Sequence, residues 1–215
     1  STPEEYGKIA NDPTIYHDAV DKLTEVIIHD IFSPPVASRI YNYATLAGYE
    51  AMISGYPEHK SMSGQFNGFD NIPQPKEGAE YAHQLAGFKA LMTVARNLTF
   101  TVNKYDEFEE ATLKKFKDAE IPNDVYERSV AYGEAVGKHV IKYAKGDNYP
   151  QTRGLRYTVK NEEGMWVPTP PQYGDAMEPY WMTIRPMLID SANQFPPPPP
   201  PFAGAALQYL PPMAS

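Results

Sequence analysis

The segment 33–52 constrains the fold more than any other part of the sequence, because a helix start is followed by a continuous apolar face. Ser33 is a residue type that caps helices, and Pro34 stands where a missing N–H costs no hydrogen bond. Behind this start, apolar side chains recur at three- and four-residue spacing, which marks one face of an α-helix. They are Val36, Ile40, Tyr43, Ala44, Ala47 and Ala51. Several are small, as is Gly48, so we predict a central helix that other helices approach closely.

The same periodicity predicts four further helices, over about 12–31, 79–101, 105–119 and 124–145. The first has an apolar stripe, formed by Ile15, Ala19, Leu23, Val26 and Ile27. The second is apolar on almost all sides between residues 85 and 102, which indicates burial.

The third of these four helices has the charge pattern of a surface helix. Acidic residues come early and lysines come late, which matches the helix dipole, and Glu110 and Lys114 form a favourable i,i+4 pair.

The last predicted helix combines an apolar stripe with two glycines. The stripe consists of Tyr126, Val130, Gly133, Gly137, Val140, Ile141 and Ala144. Each glycine costs about 1 kcal/mol relative to alanine inside a helix. A close helix crossing is the usual compensation, so we expect one here.

The character of the sequence changes after Gly146, where proline becomes frequent. Residues 155–159 alternate and residues 165–167 could pair back on them as a short β-hairpin across the turn 161–164. A short helix is expected over about 179–191, and the six prolines at 196–201 predict polyproline II. We therefore predict an all-α fold, with a helical bundle domain over 1–146 and an extended, proline- and aromatic-rich arm over 147–215, which packs on the bundle or on a partner.

Composition limits the function. The 215 residues include no cysteine, which excludes disulfides, thiolate zinc sites and cysteine nucleophiles. A net charge of −8 without a basic cluster argues against a nucleic-acid partner, and no apolar run is long enough for a transmembrane segment. The sequence begins at Ser1 without methionine or a signal-peptide pattern, as in a processed or trimmed protein.

Two groups of residues are candidate metal ligands. His17, Asp21, Glu25 and His29 follow one another at i+4 spacing, and such a ladder projects carboxylates and imidazoles from one side of a helix. The alternative, which charged stripes favour, is a solvated helix face. Glu80 and His83 have the Glu-x-x-His spacing of di-iron bundles, but no second such pair occurs in the sequence.

Other patterns point to no chemistry. The sequence contains no phosphate-binding P-loop and no Gly-x-Ser-x-Gly nucleophile motif. The aromatic residues Trp166, Tyr173, Tyr180 and Trp181 are interpreted as anchors of the arm rather than as a ligand site. No lysine or arginine closely flanks the proline run, so a rigid strut is favoured over a ligand for an aromatic groove. Residue chemistry alone therefore identifies no active site.

Several motifs taken together resemble a known family. In the bundle they are PPVASRIY at 34–41 and LAGYEA at 46–51, with the later helix that carries Gly133 and Gly137 and is followed by Asp147. In the arm they are WVPTPP at 166–171, EPYW at 178–181, IRP at 184–186 and QFP at 194–196. They resemble the N-terminal helical half of vanadium-dependent haloperoxidases of the type 2 phosphatidic acid phosphatase superfamily, and the arm is similar to haloperoxidase-like proteins of Bacteroidetes.

The resemblance implies a catalytic half that this chain does not contain. Family members bind vanadate or phosphate through a lysine preceding an Arg-Pro, a Pro-Ser-Gly-His motif, and an arginine followed by a histidine. Here Arg185-Pro186 is the only Arg-Pro in the sequence, and Glu178 stands where the motif's lysine is expected. No Ser-Gly-His occurs. Arg39 has no histidine at the family spacing, and it is expected either to reach solvent or to pair with an acid inside the bundle. No catalytic or cofactor-binding residue is therefore carried over from the family.

Three functions remain open. The first is an N-terminal helical scaffold of a haloperoxidase-like or acid phosphatase-like protein, partnered by a C-terminal catalytic segment or a separate chain. The second is a non-enzymatic interaction subunit that docks through its proline-rich arm in a protein complex. The third is a metal-binding bundle using Glu25, His29, Glu80 and His83. The resemblance also implies export, to the periplasm or the surface of a bacterial cell.

Overall fold

The computed structural model describes residues 7–9, 11–160, 162 and 164–198, and within them the fold is all-α, as predicted. Five helices of 13 or more residues are present in this part of the chain. They are α1 (Thr14–His29), α2 (Pro34–Met52), α3 (His83–Leu98), α4 (Asp106–Asp118) and α5 (Asn123–Lys145). Short 3₁₀ turns at Ile53–Gly55 and Val102–Tyr105 follow α2 and precede α4. The chain divides into two compact units, Ser1–Asp147 and Asn148–Ser215.

Helix α3 is the centre of the helical unit. It packs against α5, α2, α1 and α4, and its side chains are buried on most sides, as its composition predicted. Helix α2 packs against α3 and α5. Every residue of the apolar faces predicted for α1 and α2 is buried, so those two predictions are confirmed.

The predicted ends of α3 were wrong, because neighbouring helices take over the backbone hydrogen bonds there. The Ala82 N–H donates to Ser129 Oγ on α5, and the Glu80 carbonyl accepts two hydrogen bonds from Arg128. After Leu98, the N–H groups of Phe100 and Thr101 donate to the Asp30 carboxylate. Because of these tertiary partners, the helix begins four residues later than periodicity indicated and ends three residues earlier.

The start of α2 also differs in detail from the prediction. Ser33 does occupy the N-cap position with extended backbone, and proline follows it. Its side chain, however, makes no capping hydrogen bond to the first turn.

Helix α5 crosses α3 at its two glycines, as the sequence predicted. A Cβ atom on Gly133 would lie 2.3 Å from the Ala86 carbonyl oxygen, and one on Gly137 would lie 2.7 Å from Thr93 Cβ. The predicted stripe was partly wrong. Tyr126, Val130 and Ile141 are only half-buried, whereas the α5 side chains buried without having been predicted are Val125, Ser129, Tyr132, Val136 and Tyr143.

Helix α4 is mostly a surface helix, as its charges predicted, but Glu109, Thr112 and Phe116 are buried. The partner predicted for Lys114 in this helix was wrong. Lys114 pairs with Asp118 one turn later rather than with Glu110.

The second unit contains little regular structure in the part that the structure describes. A four-residue helix, α6 (Tyr149–Thr152), begins it, and a single 3₁₀ turn at Trp181–Thr183 replaces the predicted helix over 179–191. The described residues of the predicted hairpin form no strand, although the Tyr157 and Trp166 rings of its two arms meet. Of the proline run, 199–201 lie outside the described residues.

Candidate functional site

A buried polar cluster joins α2 to the end of α5. Arg39 Nε donates to Asp147 Oδ2 at 2.7 Å, and the Tyr43 hydroxyl donates to the same oxygen at 2.9 Å. A second guanidinium nitrogen of Arg39 donates to the Ala144 carbonyl, which is one of the last carbonyls of α5. The Arg39 guanidinium also lies 5.0 Å from the centre of the Tyr43 ring.

Because this cluster is buried, its hydrogen bonds hold α2 and the end of α5 together. Arg39 is 9% exposed and Asp147 is fully buried. Removing one member of a buried ion pair leaves an uncompensated charge, which typically costs about 3–5 kcal/mol. Of the two alternatives for Arg39, the structure shows pairing with an acid inside the bundle. Asp147 therefore belongs to the helical unit, although the sequence analysis assigned it to the arm.

The four main candidate metal ligands are not brought together. Glu25 forms an exposed ion pair with Lys22, and His29 is the last residue of α1. Glu80 precedes α3, so Glu80 and His83 do not share a helix face as the Glu-x-x-His spacing suggested. Within the described residues, no group of three or more histidine, aspartate or glutamate side chains is arranged to hold a metal ion.

His83 instead occupies an aromatic pocket at the start of α3. Its Nδ1 lies 3.1 Å from Ser54 Oγ, and the Tyr56 and Tyr81 rings are 6.5 and 6.2 Å from its ring centre. Gly55 packs under the imidazole so closely that a Cβ there would lie 2.3 Å from the ring. Burial lowers the pKa of His83 below its ordinary value, because the charged form loses hydration.

Glu50 is a second buried titratable group, on α2. Its carboxylate accepts hydrogen bonds from Ser61 Oγ at 2.7 Å and from the Met62 N–H at 2.6 Å. Burial raises the pKa of Glu50, and these two hydrogen bonds oppose the rise. The contacts tie the loop after α2 back onto the helix, so the carboxylate has a structural role.

A network of opposite charges joins α3 and α4. The Glu109 carboxylate accepts from Lys89 Nζ at 2.7 Å and from Arg96 Nε at 2.8 Å. Arg96 also pairs with Asp106 at 2.6 Å. The two cations neutralise a carboxylate that is 8% exposed, which explains why an acidic residue of a surface helix is buried.

The buried and half-buried cations of α2 and α3 are not arranged to bind vanadate or phosphate. A multiply charged oxyanion needs several cationic side chains that are free to face it. Among the described residues, the buried and half-buried cations of α2 and α3 are already bound to carboxylates: Arg39 to Asp147, and Lys89 and Arg96 to Glu109. In the second unit, Glu178, at the position of the family lysine, accepts a hydrogen bond from Tyr149.

Apolar side chains are exposed near the C-terminal end of α1. We call Ile28, Ile31, Phe100 and Val102 the α1-end patch; they are 70%, 87%, 59% and 39% exposed. The Phe100 ring packs against Phe32 at 4.8 Å, and the Asp30 carboxylate binds the backbone of Phe100 and Thr101. Asp30 therefore holds the two segments of the patch together.

Ile31 has an unusual backbone conformation. Its φ is 55°, and it donates to the Ile28 carbonyl while Phe32 donates to the Ile27 carbonyl. This is a Schellman motif with isoleucine at the position that usually holds glycine. A β-branched residue is strained in this conformation, and here the strain presents an apolar side chain to solvent.

None of the described helices has the length and hydropathy that a membrane span requires.

Comparison with known proteins identifies the fold. No family model matches the sequence, and no curated protein matches it significantly. Among solved structures, the chain is similar to a bacterial vanadium-dependent iodoperoxidase, with 38% sequence identity and a TM-score of 0.80. The match covers 88% of this chain and 46% of the other, so this chain spans less than half the length of that protein. The chain therefore has a vanadium haloperoxidase-like fold, as its motifs predicted.

Proposed function

We propose that this chain is the N-terminal helical scaffold of a vanadium haloperoxidase-like or acid phosphatase-like protein, whose catalytic half is a further segment or a partner chain. The observation that carries the proposal is the match to the iodoperoxidase, which is extensive in this chain and partial in the other. The absence of Ser-Gly-His from the sequence is consistent with this division. Vanadate or phosphate would then be held by the catalytic half, in a protein expected to be exported from the cell.

The α1-end patch supports a scaffold role. Contiguous exposed apolar groups commonly mark surfaces that bind another protein segment. Two backbone segments are held in place at this patch by Asp30, and one of its side chains is presented at the cost of backbone strain. The patch is therefore the surface of the helical unit that we assign to the catalytic half.

A chimera tests the proposal. In the bacterial iodoperoxidase, the matched region would be replaced by residues 12–198 of this chain, and vanadate-dependent iodide oxidation would be measured. We expect a folded chimera that retains activity, while the iodoperoxidase with the matched region deleted is inactive. A chimera that is folded by circular dichroism but has no vanadate-dependent activity would argue against a scaffold role.

The alternative function is a non-enzymatic interaction subunit that docks through the arm. It is favoured by the many exposed apolar residues of the second unit, among them Met177, Met182, Leu188 and Phe195. This alternative predicts that the 215-residue chain associates stably with a protein chain through its arm, and that no catalytic half is needed for this association. Size-exclusion chromatography with light scattering, on the chain and on a version ending at residue 147, distinguishes the two functions.

A further inference from the structure

The second unit contains a cavity of about 400 Å³ that neither the scaffold role nor the family resemblance explains. It is lined by residues 153–157, Val159, Trp166, Pro168, Asp175 and Ala176. All of these residues belong to the arm. The volume lies within the range of roughly 300–1,000 Å³ that is typical of small-molecule sites.

One wall of the cavity is aromatic. The Tyr157 and Trp166 rings meet edge to face, with 5.6 Å between their centres and 83° between their planes. Trp166 remains 45% exposed, so part of its indole surface is available for a planar group. Aromatic rings favour edge-to-face and offset-stacked contacts with one another, so this exposed ring surface suits an aromatic ligand.

The charges of the cavity favour an anion. Arg153 and Arg156 line it together with Asp175, so the formal charge of the lining is positive by one. The Arg156 carbonyl accepts a hydrogen bond from the Tyr180 hydroxyl, which fixes the backbone beneath the side chain. Its guanidinium makes no hydrogen bond or ion pair with any described residue. A guanidinium has a planar set of donors that matches the two oxygens of a carboxylate.

We propose that this cavity binds a small aromatic carboxylate, with its ring against Trp166 and Tyr157 and its carboxylate on Arg156. A monoanion matches the single excess positive charge, and a ring matches the aromatic wall. The inference concerns the arm alone and does not depend on the scaffold function.

Calorimetric titration of the 215-residue chain with phenylacetate tests the proposal. We expect saturable binding at one site, and Arg156→Gln should weaken it roughly tenfold to a hundredfold, as expected for the loss of a hydrogen bond to a charged group. Lys160→Gln is the matched control, because Lys160 is exposed in the same segment but does not line the cavity. It should change the affinity less than about twofold, since exposed charges at a distance are screened. Both side chains are exposed, so neither variant removes a packed group.

Two further probes separate the ring from the charge. Phenylacetamide keeps the ring without the charge, and inorganic phosphate has the charge without the ring; we expect both to bind more weakly than phenylacetate. Trp166→Leu should weaken phenylacetate binding. The proposal is overturned if phenylacetate gives no saturable signal up to about 10 mM, if Lys160→Gln weakens binding as much as Arg156→Gln, or if phosphate or the amide binds equally well.

Discussion

The Asp147 carboxylate compensates the buried charge of Arg39 in the helical unit. Asp147→Asn should lower the free energy of unfolding by about 3–5 kcal/mol, since it removes the carboxylate that is paired with a buried guanidinium. Urea denaturation followed by circular dichroism measures this loss. Asp118→Asn is the control: it removes an exposed ion pair and should cost less than about 1 kcal/mol.

A double variant tests the same pair from the opposite direction. Arg39→Met with Asp147→Leu replaces both charges by apolar groups and should recover much of the stability lost in Asp147→Asn. If the double variant is as unstable as the single one, the ion pair itself is not the source of the effect.

Substitution of Ile31 by glycine should stabilise the protein, whereas Asp147→Asn destabilises it, because the Ile31 backbone is in the left-handed region. Ile31→Gly should raise the melting temperature, since relief of about 1–2 kcal/mol of strain exceeds the entropic cost of glycine in the unfolded chain. The side chain is exposed, so little packing is lost. Ile28→Gly, at a helical position of the same patch, should lower the melting temperature; equal effects of the two substitutions would contradict the assignment of strain.

His83 should make the protein sensitive to acid. Burial lowers its pKa in the folded state below the ordinary value of 6.5, so the unfolded chain binds a proton first as the pH falls. Stability is therefore lost as the pH drops from 6.5 towards the folded-state pKa. His83→Gln should reduce the slope of unfolding free energy against pH between 6.5 and 5 by up to about 1.4 kcal/mol per pH unit.

A control for His83 is available on the surface. His17→Gln removes an imidazole from an exposed position of α1 and accounts for the general effect of losing a histidine. The slope is the informative quantity, because loss of packing in His83→Gln lowers stability at every pH. An unchanged slope would mean that His83 is not the source of acid sensitivity.

At the scale of elements, the crossing of α5 over α3 depends on the absence of a side chain. Gly133→Ala should destabilise the protein by about 1–3 kcal/mol, because the new Cβ would overlap the Ala86 carbonyl and force the helices apart. This happens although alanine is the better helix former. Ala135→Gly, at an exposed position of α5, should also destabilise, but by only about 1 kcal/mol through propensity. A stabilised Gly133→Ala protein would show that the crossing tolerates a methyl group.

Helix faces could be predicted from the sequence better than helix ends. The faces of α1 and α2 follow from spacing alone, because one side of each helix is buried against the others. The ends of α3 depend on Ser129, Arg128 and Asp30, which lie on other helices or at their ends and take its backbone hydrogen bonds. Local sequence carries no signal for such partners.

The buried polar groups show the same limit. The sequence suggested that Arg39 pairs with an acid, but the partner lies 108 residues away and could not be chosen among many acidic residues. Glu109 was one of the early acidic residues from which a surface helix was predicted, since nothing in α4 indicates that Lys89 and Arg96 converge on it from α3. The burial of His83 likewise depends on Gly55 and Ser54, which the sequence places in a loop.

At the scale of the whole molecule, this chain covers less than half of the iodoperoxidase to which it is similar. If the α1-end patch receives the catalytic half, the variant Ile28→Ser with Phe100→Ser should leave the chain folded while weakening its association with that half. Ile28 is 70% exposed, and Phe100→Ser loses the ring contact with Phe32, which should cost only about 1 kcal/mol. Pull-down of the separately expressed remainder of the iodoperoxidase measures the association, and Leu188→Ser in the arm is the control. Equal binding of the patch variant and the unmodified chain would exclude this surface.

The pairing of Arg39 with Asp147 also has a consequence for how the chain is made. Asp147 follows Arg39 by 108 positions, so at roughly 5–20 residues per second it is synthesised roughly 5–20 s later. Until then the Asp147 carboxylate, which pairs with Arg39 of α2, has not been made. We therefore expect α2 to pack tightly against α3 only after the end of α5 has been synthesised. The end of the first unit, at Asp147, should then be the last part of the helical bundle to assemble.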